Sequence, residues 1–207
     1  MSDLLLATAN PGKQREFGRL LQGLAGRILL PQEIGLDLDV PEPHLTYAEN
    51  ATAKAVAYSR ASGLPSLADD SGIEVAALDW GPGVTTARFG GPDVVDRVAL
   101  LLEAVGDSPD RAARFVCVLV LAVPDAAGGV PHLETFSGTV DGRLATERRG
   151  SGGFGYDPVF LLPGGQTTAE LPDAEKDRIS HRGRAVQAAM PRLRELLTAT
   201  PATAGDR

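Results

Sequence analysis

Short apolar runs alternate along the chain with stretches in which apolar residues recur at helical spacing. The run Leu4–Ala7 is typical of a buried strand. Phe17, Leu20, Leu21 and Leu24 fall at i, i+3, i+4 and i+7, so they predict a helix beginning near Pro11. By the same criteria we predict further strands at 27–30, 66–68, 115–123, within 133–146 and at 159–162. Further helices are predicted at 46–62 behind a capping box, from Asp93 onward, at 174–180 and at 184–198.

Three local signals predict breaks within these segments. Asp141-Gly142 is a dipeptide typical of a hairpin, so the segment around it is expected to form one or two strands about a turn. Gly72 is expected to form a turn after Asp69 and Asp70, which end the strand that begins at 66–68. Pro191 lies inside the last predicted helix, so that helix is expected either to start later or to kink there.

Composition and charge exclude several classes of protein. The chain has 207 residues, 43% of them hydrophobic, as in a soluble globular protein with its own core. Its single cysteine, Cys117, rules out a disulfide framework within the chain, and its apolar setting predicts an inert core residue. The net charge of −7 disfavours non-specific binding to nucleic acid or to anionic membranes, but local lysines and arginines could still hold a nucleotide.

The chain also lacks the usual signals for membranes or export. No apolar run approaches the ~20 residues that span a bilayer. The start Met1-Ser2-Asp3 lacks the basic residues of a signal peptide. The expected compartment is therefore the cytosol.

The segment Thr8–Lys13 connects the first predicted strand to the first predicted helix. The amide groups and positive dipole at a helix start suit a phosphate. Lys13 adds a movable cation, and Thr8 and Asn10 add neutral donors. The alternative is a helix-capping turn with a solvated lysine, and the P-loop spacing is absent.

Asp69 and Asp70 are expected at the end of a short strand. Adjacent carboxylates repel each other unless a divalent cation lies between or near them. Because oxygen ligands are present and thiols are not, that cation would be Mg²⁺. One carboxylate could also act as a general base on water. The alternative is an Asx turn.

The segment Gly150–Gly155 has the spacing G-x-G-x-x-G of a dinucleotide-binding turn. We reject that interpretation because two arginines precede it and a proline and a strand follow it. Phe154, framed by glycines, could instead stack on a base. A hydrophobic plug over the core is the alternative.

The segment Ser180–Arg184, with Lys176 before it, places basic donors at a predicted helix start. His181 and Arg182 could contact a carbonyl or a phosphate there. Basic residues are slightly unfavourable at this end of a helix, which suggests a role beyond folding. The alternative is a capped and solvated helix end.

On six segments in family order, the chain resembles the inosine triphosphate pyrophosphatases, which remove ITP, dITP and XTP from the nucleotide pool. The segments are Ala7–Lys13, Glu49–Ala51 with Lys54, Leu67–Gly72, Gly81–Val84 with Ala87-Arg88, Gly152–Pro158 and Ser180–Gly183. The resemblance implies a mixed α/β fold, with an elongated central sheet flanked by helices and two lobes around a nucleotide cleft. It also implies a homodimer. Because no linker divides the chain, we expect one two-lobed domain over residues 1–199, and the small and polar residues of 200–207 predict a disordered tail.

The resemblance also implies a reaction and a set of site residues. The reaction is hydrolysis of the triphosphate to a monophosphate and pyrophosphate with Mg²⁺. Asp70 would be the general base and a metal ligand. Glu42 would be the second metal ligand, although the family often has two consecutive glutamates where this chain has one. The residues at the triphosphate would be Thr8, Ala9, Asn10, Pro11, Gly12, Lys13 and Lys54, and Ser71 would also contact the substrate. Phe154 would stack on the purine, and Gly155, Tyr156 and Asp157 would line its edge. Lys176, His181 and Arg182 would contact the base and a phosphate.

Two other functions stay open at this point. One is a pyrophosphatase acting on modified pyrimidine triphosphates, as the distantly similar Maf-type enzymes do. The other is a non-catalytic nucleotide sensor. The pair Asp69-Asp70 disfavours a sensor, because binding alone gains little from two adjacent like charges.

Overall fold

The computed structural model describes residues 3–93 and 95–198. The tail predicted over residues 200–207 lies outside them. The strands are β1 (Leu4–Leu6), β2 (Ile28–Leu29), β3 (Ser66–Val75), β4 (Gly81–Pro82), β5 (Ala112–Val123), β6 (His132–Leu144) and β7 (Phe160–Leu161). The α-helices are α1 (Pro11–Leu20), α2 (Tyr47–Ser62), α3 (Arg97–Val105), α4 (Asp173–Ile179) and α5 (His181–Thr198).

The strands form one mixed sheet in the order β2-β1-β3-β5-β6-β7, with β4 paired to β3. β1 runs parallel to both β2 and β3. β4 pairs antiparallel with β3, and β7 pairs antiparallel with β6. The mixed α/β class is therefore confirmed. Over the residues that the structure describes, no helix combines the length and the apolarity needed to cross a membrane.

The chain divides into two compact units, and the first comprises the described residues up to Asp69, from Val118 to Phe136 and from Val186 onward. In its core, alanines of α2 pack with β1 and β5. Thr46 caps α2 by accepting a hydrogen bond from the Glu49 amide at 3.2 Å, and Gly63 ends it in the left-handed conformation. The predicted N-cap at Thr46 is confirmed, and its hydroxyl also donates to the Glu49 carboxylate at 2.7 Å.

The second unit comprises Asp70–Cys117 and Ser137–Ala185. Its core joins one face of α3 to β5, β6 and β7. The prediction that Asp93 opens α3 was wrong. Asp96 is the cap, and its carboxylate accepts a hydrogen bond from the Ala99 amide at 3.0 Å.

The predicted hairpin at Asp141-Gly142 is absent, because β6 continues through both residues. Gly142 serves a different purpose. A Cβ at this position would lie 2.3 Å from the Leu161 carbonyl oxygen and 2.8 Å from the Phe160 ring. The lack of a side chain at Gly142 therefore allows β7 to lie close to β6, and β6 continues without a turn.

Gly142→Ala should destabilise the second unit, because the added methyl must displace backbone of β7. We expect a loss of about 1–3 kcal/mol in the free energy of unfolding, as for an overpacked core, measured by denaturant or thermal melting. Gly18→Ala is the matched control, since nothing lies within 4 Å of the position that a Cβ would take there. In that exposed helical position alanine should preserve or raise stability. Equal effects of the two substitutions would contradict this account.

The last helix begins earlier than predicted. α5 starts at His181 instead of Arg184 and continues past Pro191 to Thr198. The early start depends on Gly183, where a Cβ would lie 1.9 Å from the Asp177 carbonyl oxygen at the end of α4. The close approach of α4 and α5 thus places His181 and Arg182 in a helical first turn.

Candidate active site

In the first unit, the predicted phosphate-binding turn is the N-terminus of α1. Asn10 is the cap, and its side-chain oxygen accepts a hydrogen bond from the Lys13 amide at 3.1 Å. The Asn10 amide donates to the Thr8 hydroxyl at 3.3 Å, and Gln14 Nε2 donates to the Thr8 carbonyl at 2.9 Å. Gln14 is a supporting residue that sequence reasoning missed. Ala9, Asn10 and Pro11 are exposed, whereas Gly12 is buried.

The side chain of Lys13 is held against Asp69. Its Nζ lies 2.8 Å from Asp69 Oδ2, and the Asp69 side chain is 1% exposed. A buried carboxylate needs a paired cation, since removing one partner leaves an uncompensated charge. Asp69 therefore fixes the position of the predicted phosphate-binding lysine.

Lys54 and Glu42, also in the first unit, form a direct ion pair. Lys54 was predicted to bind the triphosphate and Glu42 to bind the metal. Both side chains are largely shielded, at 13% and 28% exposed. Lys54 can therefore contact a phosphate, and Glu42 a metal ion, either by breaking this ion pair or by keeping it.

The expected turn after Asp69-Asp70 does not form, because β3 runs from Ser66 to Val75 through both carboxylates. Neighbouring side chains of a strand point to opposite faces, so the two carboxylates are directed away from each other. Both are buried, at 2% and 5% exposed. One Asp70 oxygen accepts a hydrogen bond from the Ser71 amide at 2.9 Å, which orients the carboxylate.

In the second unit, four of the predicted substrate residues meet. Arg182 donates to the Ser71 hydroxyl at 2.8 Å, and its guanidinium carbon lies 4.9 Å from the centre of the Phe154 ring. Lys176 Nζ lies 5.4 Å from the same centre. Two cations at one ring are favoured by its quadrupole. The ring itself is only partly buried.

Asp157 holds this group together. Its Oδ2 accepts from the Phe154 amide at 2.7 Å and pairs with Lys176 Nζ at 2.6 Å. Its Oδ1 accepts from the Thr168 hydroxyl at 2.8 Å. The pair Asp157–Lys176 is almost wholly buried, at 4% and 3% exposed. The carboxylate thus fixes the loop that carries Phe154, and Thr168 is a second supporting residue that sequence reasoning missed.

Tyr156 faces the core. Its hydroxyl donates to the Thr86 carbonyl at 3.2 Å, and the residue belongs to the apolar cluster of the second unit. Burial raises the pKa of the phenol to about 12. Since the side chain is turned inward, any contact of Tyr156 with a base would come from its backbone. The neighbouring Gly155 is exposed.

Tyr156→Phe tests this burial. The folded-state pKa is raised, so the unfolded chain loses its phenol proton first as the pH rises above the ordinary value of 10. Wild-type stability should therefore fall between pH 10 and about 12, by on the order of 1–2 kcal/mol from this group. The variant should lack that part of the loss in alkaline melting curves. It should also lack one tyrosinate that forms well above the ordinary pKa of 10 in ultraviolet absorbance, and a titration unchanged from wild type would contradict the assignment.

The remaining predicted residue, His181, is the first residue of α5 and is 3% exposed. Its imidazole stacks on Phe115, with ring centroids 4.6 Å apart and planes 15° apart. Sequence reasoning missed Phe115, whose only signal was membership in an apolar strand.

The arrangement of the acidic, histidine and cysteine side chains shows what kind of metal site is possible. Within the described ranges there is no group of three or more histidine, cysteine or acidic side chains arranged to hold an ion. Mg²⁺ keeps several waters and commonly takes only one or two protein carboxylates, so it does not require such a cage. The oriented carboxylate of Asp70 fits that chemistry.

The chain matches the Ham1 family over residues 4–192. It is 46% identical over 186 residues to a dITP/XTP pyrophosphatase of Syntrophobacter fumaroxidans. The aligned region covers 88% of this chain and 78% of that relative. A dITP/XTP pyrophosphatase of Thermus thermophilus is 46% identical over 189 residues, covering 89% and 88%. The solved structure of a Ham1 protein from Coxiella burnetii is 38% identical, with a TM-score of 0.80 and coverage of 96% and 99%.

These matches agree with one another in extent and in fold. The family match begins at the first residue of β1 and ends within α5, so it includes every segment that carries a predicted site residue. The chain therefore belongs to the Ham1 family.

Proposed function

We infer that this protein hydrolyses the non-standard purine nucleoside triphosphates ITP, dITP and XTP to the monophosphate and pyrophosphate. The observation that carries the inference is the group in the second unit, where Arg182 and Lys176 lie at the ring of Phe154. An aromatic face beside fixed donors suits a purine with carbonyl groups. The relatives named dITP/XTP pyrophosphatases support dITP and XTP, which are non-standard purine triphosphates, as substrates.

Attack of water at the α-phosphorus needs positioning, charge neutralisation and an activated water, and no covalent nucleophile. Asp70 is the proposed general base, because its carboxylate is buried and oriented by the Ser71 amide. A fixed carboxylate within reach of a water can remove its proton as the new P–O bond forms. Pyrophosphate then leaves with the electrons of the broken P–O bond.

The triphosphate is proposed to bind the helix start Thr8–Lys13 together with Lys54. The α1 dipole favours an anion at this end. Each lysine is already placed by a carboxylate, Lys13 by Asp69 and Lys54 by Glu42. Both lysines are therefore held largely out of solvent, where their attraction to phosphate is less screened.

The base is proposed to stack on Phe154, with His181 and Arg182 as donors to its 6-carbonyl oxygen. Adenine carries an amino group at that position, which would set donor against donor. Lys176 supports this group through Asp157 and the aromatic ring. This polar match would select ITP, dITP and XTP over ATP.

Mg²⁺ is the proposed cofactor, with Asp70 and Glu42 as its protein ligands, and when bound it neutralises charge on the triphosphate. We also propose that the protein forms a homodimer and acts in the cytosol. The names of the relatives do not favour the two alternatives, a modified-pyrimidine pyrophosphatase and a nucleotide sensor.

Reaction of the purified protein with ITP in ¹⁸O-labelled water tests the proposal. We expect IMP and pyrophosphate in equal amounts, with the label in the phosphate of IMP, because the water oxygen joins the α-phosphorus. Chromatography and mass spectrometry would identify both products. Orthophosphate with accumulating IDP, or label in pyrophosphate, would contradict the mechanism. CTP and modified pyrimidine triphosphates serve as comparison substrates.

A further inference from the structure

Phe115 and His181 form a stacked pair within the second unit. Phe115 lies in β5 and is 7% exposed, and His181 begins α5 and is 3% exposed. Their ring centroids are 4.6 Å apart, and their planes differ by only 15°. Phe160 of β7 contacts Phe115 in turn, with centroids 4.3 Å apart. The imidazole thus rests on an aromatic surface that belongs to the core.

A parallel partner matters for an imidazole because its N–H bonds lie in the plane of the ring. The last side-chain torsion of histidine is broad and has no narrow intrinsic preference. A ring that packs against the imidazole therefore contributes to the direction in which it donates. The nearly parallel ring of Phe115 sets that plane.

The backbone of His181 packs closely against strand β6. A Cβ at Gly138 in β6 would lie 2.2 Å from the His181 carbonyl oxygen and 2.6 Å from the Ala185 amide nitrogen. The first turn of α5 is therefore seated directly on β6. The backbone of His181 is therefore held in place, and the contact with Phe115 adds a constraint on the plane of the ring.

We propose that Phe115 is a positioning residue for substrate selection, which acts through His181 without touching the substrate. It holds the imidazole in the plane from which the ring donates to the purine 6-carbonyl oxygen. The proposal rests on the proposed function, because it assigns that role to His181. It predicts that loss of the Phe115 ring weakens recognition of ITP and leaves the weaker reaction with ATP largely unchanged.

Phe115→Leu tests the proposal, with Phe160→Leu as the matched control. Phe160→Leu removes the same volume from the same cluster but leaves Phe115 against the imidazole. Since a small misplacement of a recognition group can cost up to ~10²-fold, we expect Phe115→Leu to lower the ratio of kcat/KM for ITP to that for ATP by about tenfold. Phe160→Leu should lower thermal stability to a similar degree and preserve the ratio. Equal loss of the ratio in both variants would overturn the proposal.

A double-mutant cycle with His181→Ala separates this proposal from the proposed function. If Phe115 acts through His181, then Phe115→Leu should cause no further loss of the ratio once His181 is alanine. An additional tenfold loss in that background would overturn the proposal. A wild-type protein that releases no pyrophosphate from ITP would refute the proposed function itself. If ITP is hydrolysed but His181→Ala leaves the ratio unchanged, this proposal and the role of His181 both fail, while the hydrolysis stands.

An NMR measurement on the wild-type protein covers the case in which Phe115→Leu does not fold. The chain has three histidines, and the side chain of His132 is 71% exposed. Ring protons of His181, assigned by their loss in His181→Ala, should resonate upfield of those of His132 because the ring of Phe115 shields them. The absence of an upfield shift would overturn the stacked arrangement and the proposal.

Discussion

Replacing Asp70 by asparagine is expected to lower kcat for ITP by at least ~10²-fold, the low end for a positioned general base. Asparagine has nearly the same shape, so it can still accept the Ser71 amide hydrogen bond seen at 2.9 Å. It cannot take a proton from water at neutral pH, and it contributes one negative charge less to a cation. The loss should therefore appear in turnover with the fold retained, as checked by steady-state kinetics and a melting curve.

Asp69→Asn is the matched comparison, because it makes the same chemical change one residue earlier in β3. Asp69 pairs with Lys13 at 2.8 Å, so its loss should release the lysine and act mainly on KM. An Asp70→Asn variant within a few-fold of wild type would move the base to Asp69 or Glu42. The difference between kcat and KM effects then identifies which of these carboxylates carries the chemistry.

Arg182→Ala is expected to collapse the preference for ITP over ATP. Arginine only donates at ordinary pH, and here its guanidinium is fixed by the Ser71 hydroxyl and the Phe154 ring. A carbonyl at position 6 gains a charge-assisted bond, whereas an amino group leaves buried donors unpaired. Each unpaired group costs roughly 1–3 kcal/mol, so the ratio of kcat/KM should fall by about tenfold to a hundredfold.

Arg184→Ala is the control for this prediction. Arg184 lies in the same helical turn but is exposed, and it donates to the Thr139 carbonyl instead. Its removal should leave the ratio of ITP to ATP within about twofold of wild type, as for a surface substitution. GTP shares the 6-carbonyl, so the ratio of ITP to GTP should change little in Arg182→Ala. Equal losses for ITP and ATP would identify Arg182 as a phosphate ligand, with base selection elsewhere.

Several elements of the fold could be predicted because their signals are local. Thr46 and Glu49 predict the start of α2, and Asn10-Pro11 predicts the start of α1, since a cap and the turn it closes lie within four residues. The apolar run 115–123 predicts β5 for a similar reason, because a continuous apolar run of this length is typical of a strand. These predictions are confirmed.

The errors arose where a distant segment decided the local conformation. Gly142 is typical of a turn in isolation, but β7 lies against it and requires a residue without a side chain. Gly72 was predicted to begin a turn, but β3 continues through it to Val75, where it pairs with β4. In both cases hydrogen bonding to another strand outweighs the local preference of a glycine for a turn.

The sequence by itself determined the family and the kinds of side chain available for the chemistry, because those are carried by short contiguous motifs. Only the tertiary structure decided which partner each side chain takes. Lys176 meets Asp157 across 19 positions, and Arg182 meets Ser71 across 111. Phe115 comes to lie under the imidazole of His181 because a core strand passes beneath the first turn of a helix. Such pairings depend on packing between elements that are remote in the chain, and no local pattern of residues encodes them.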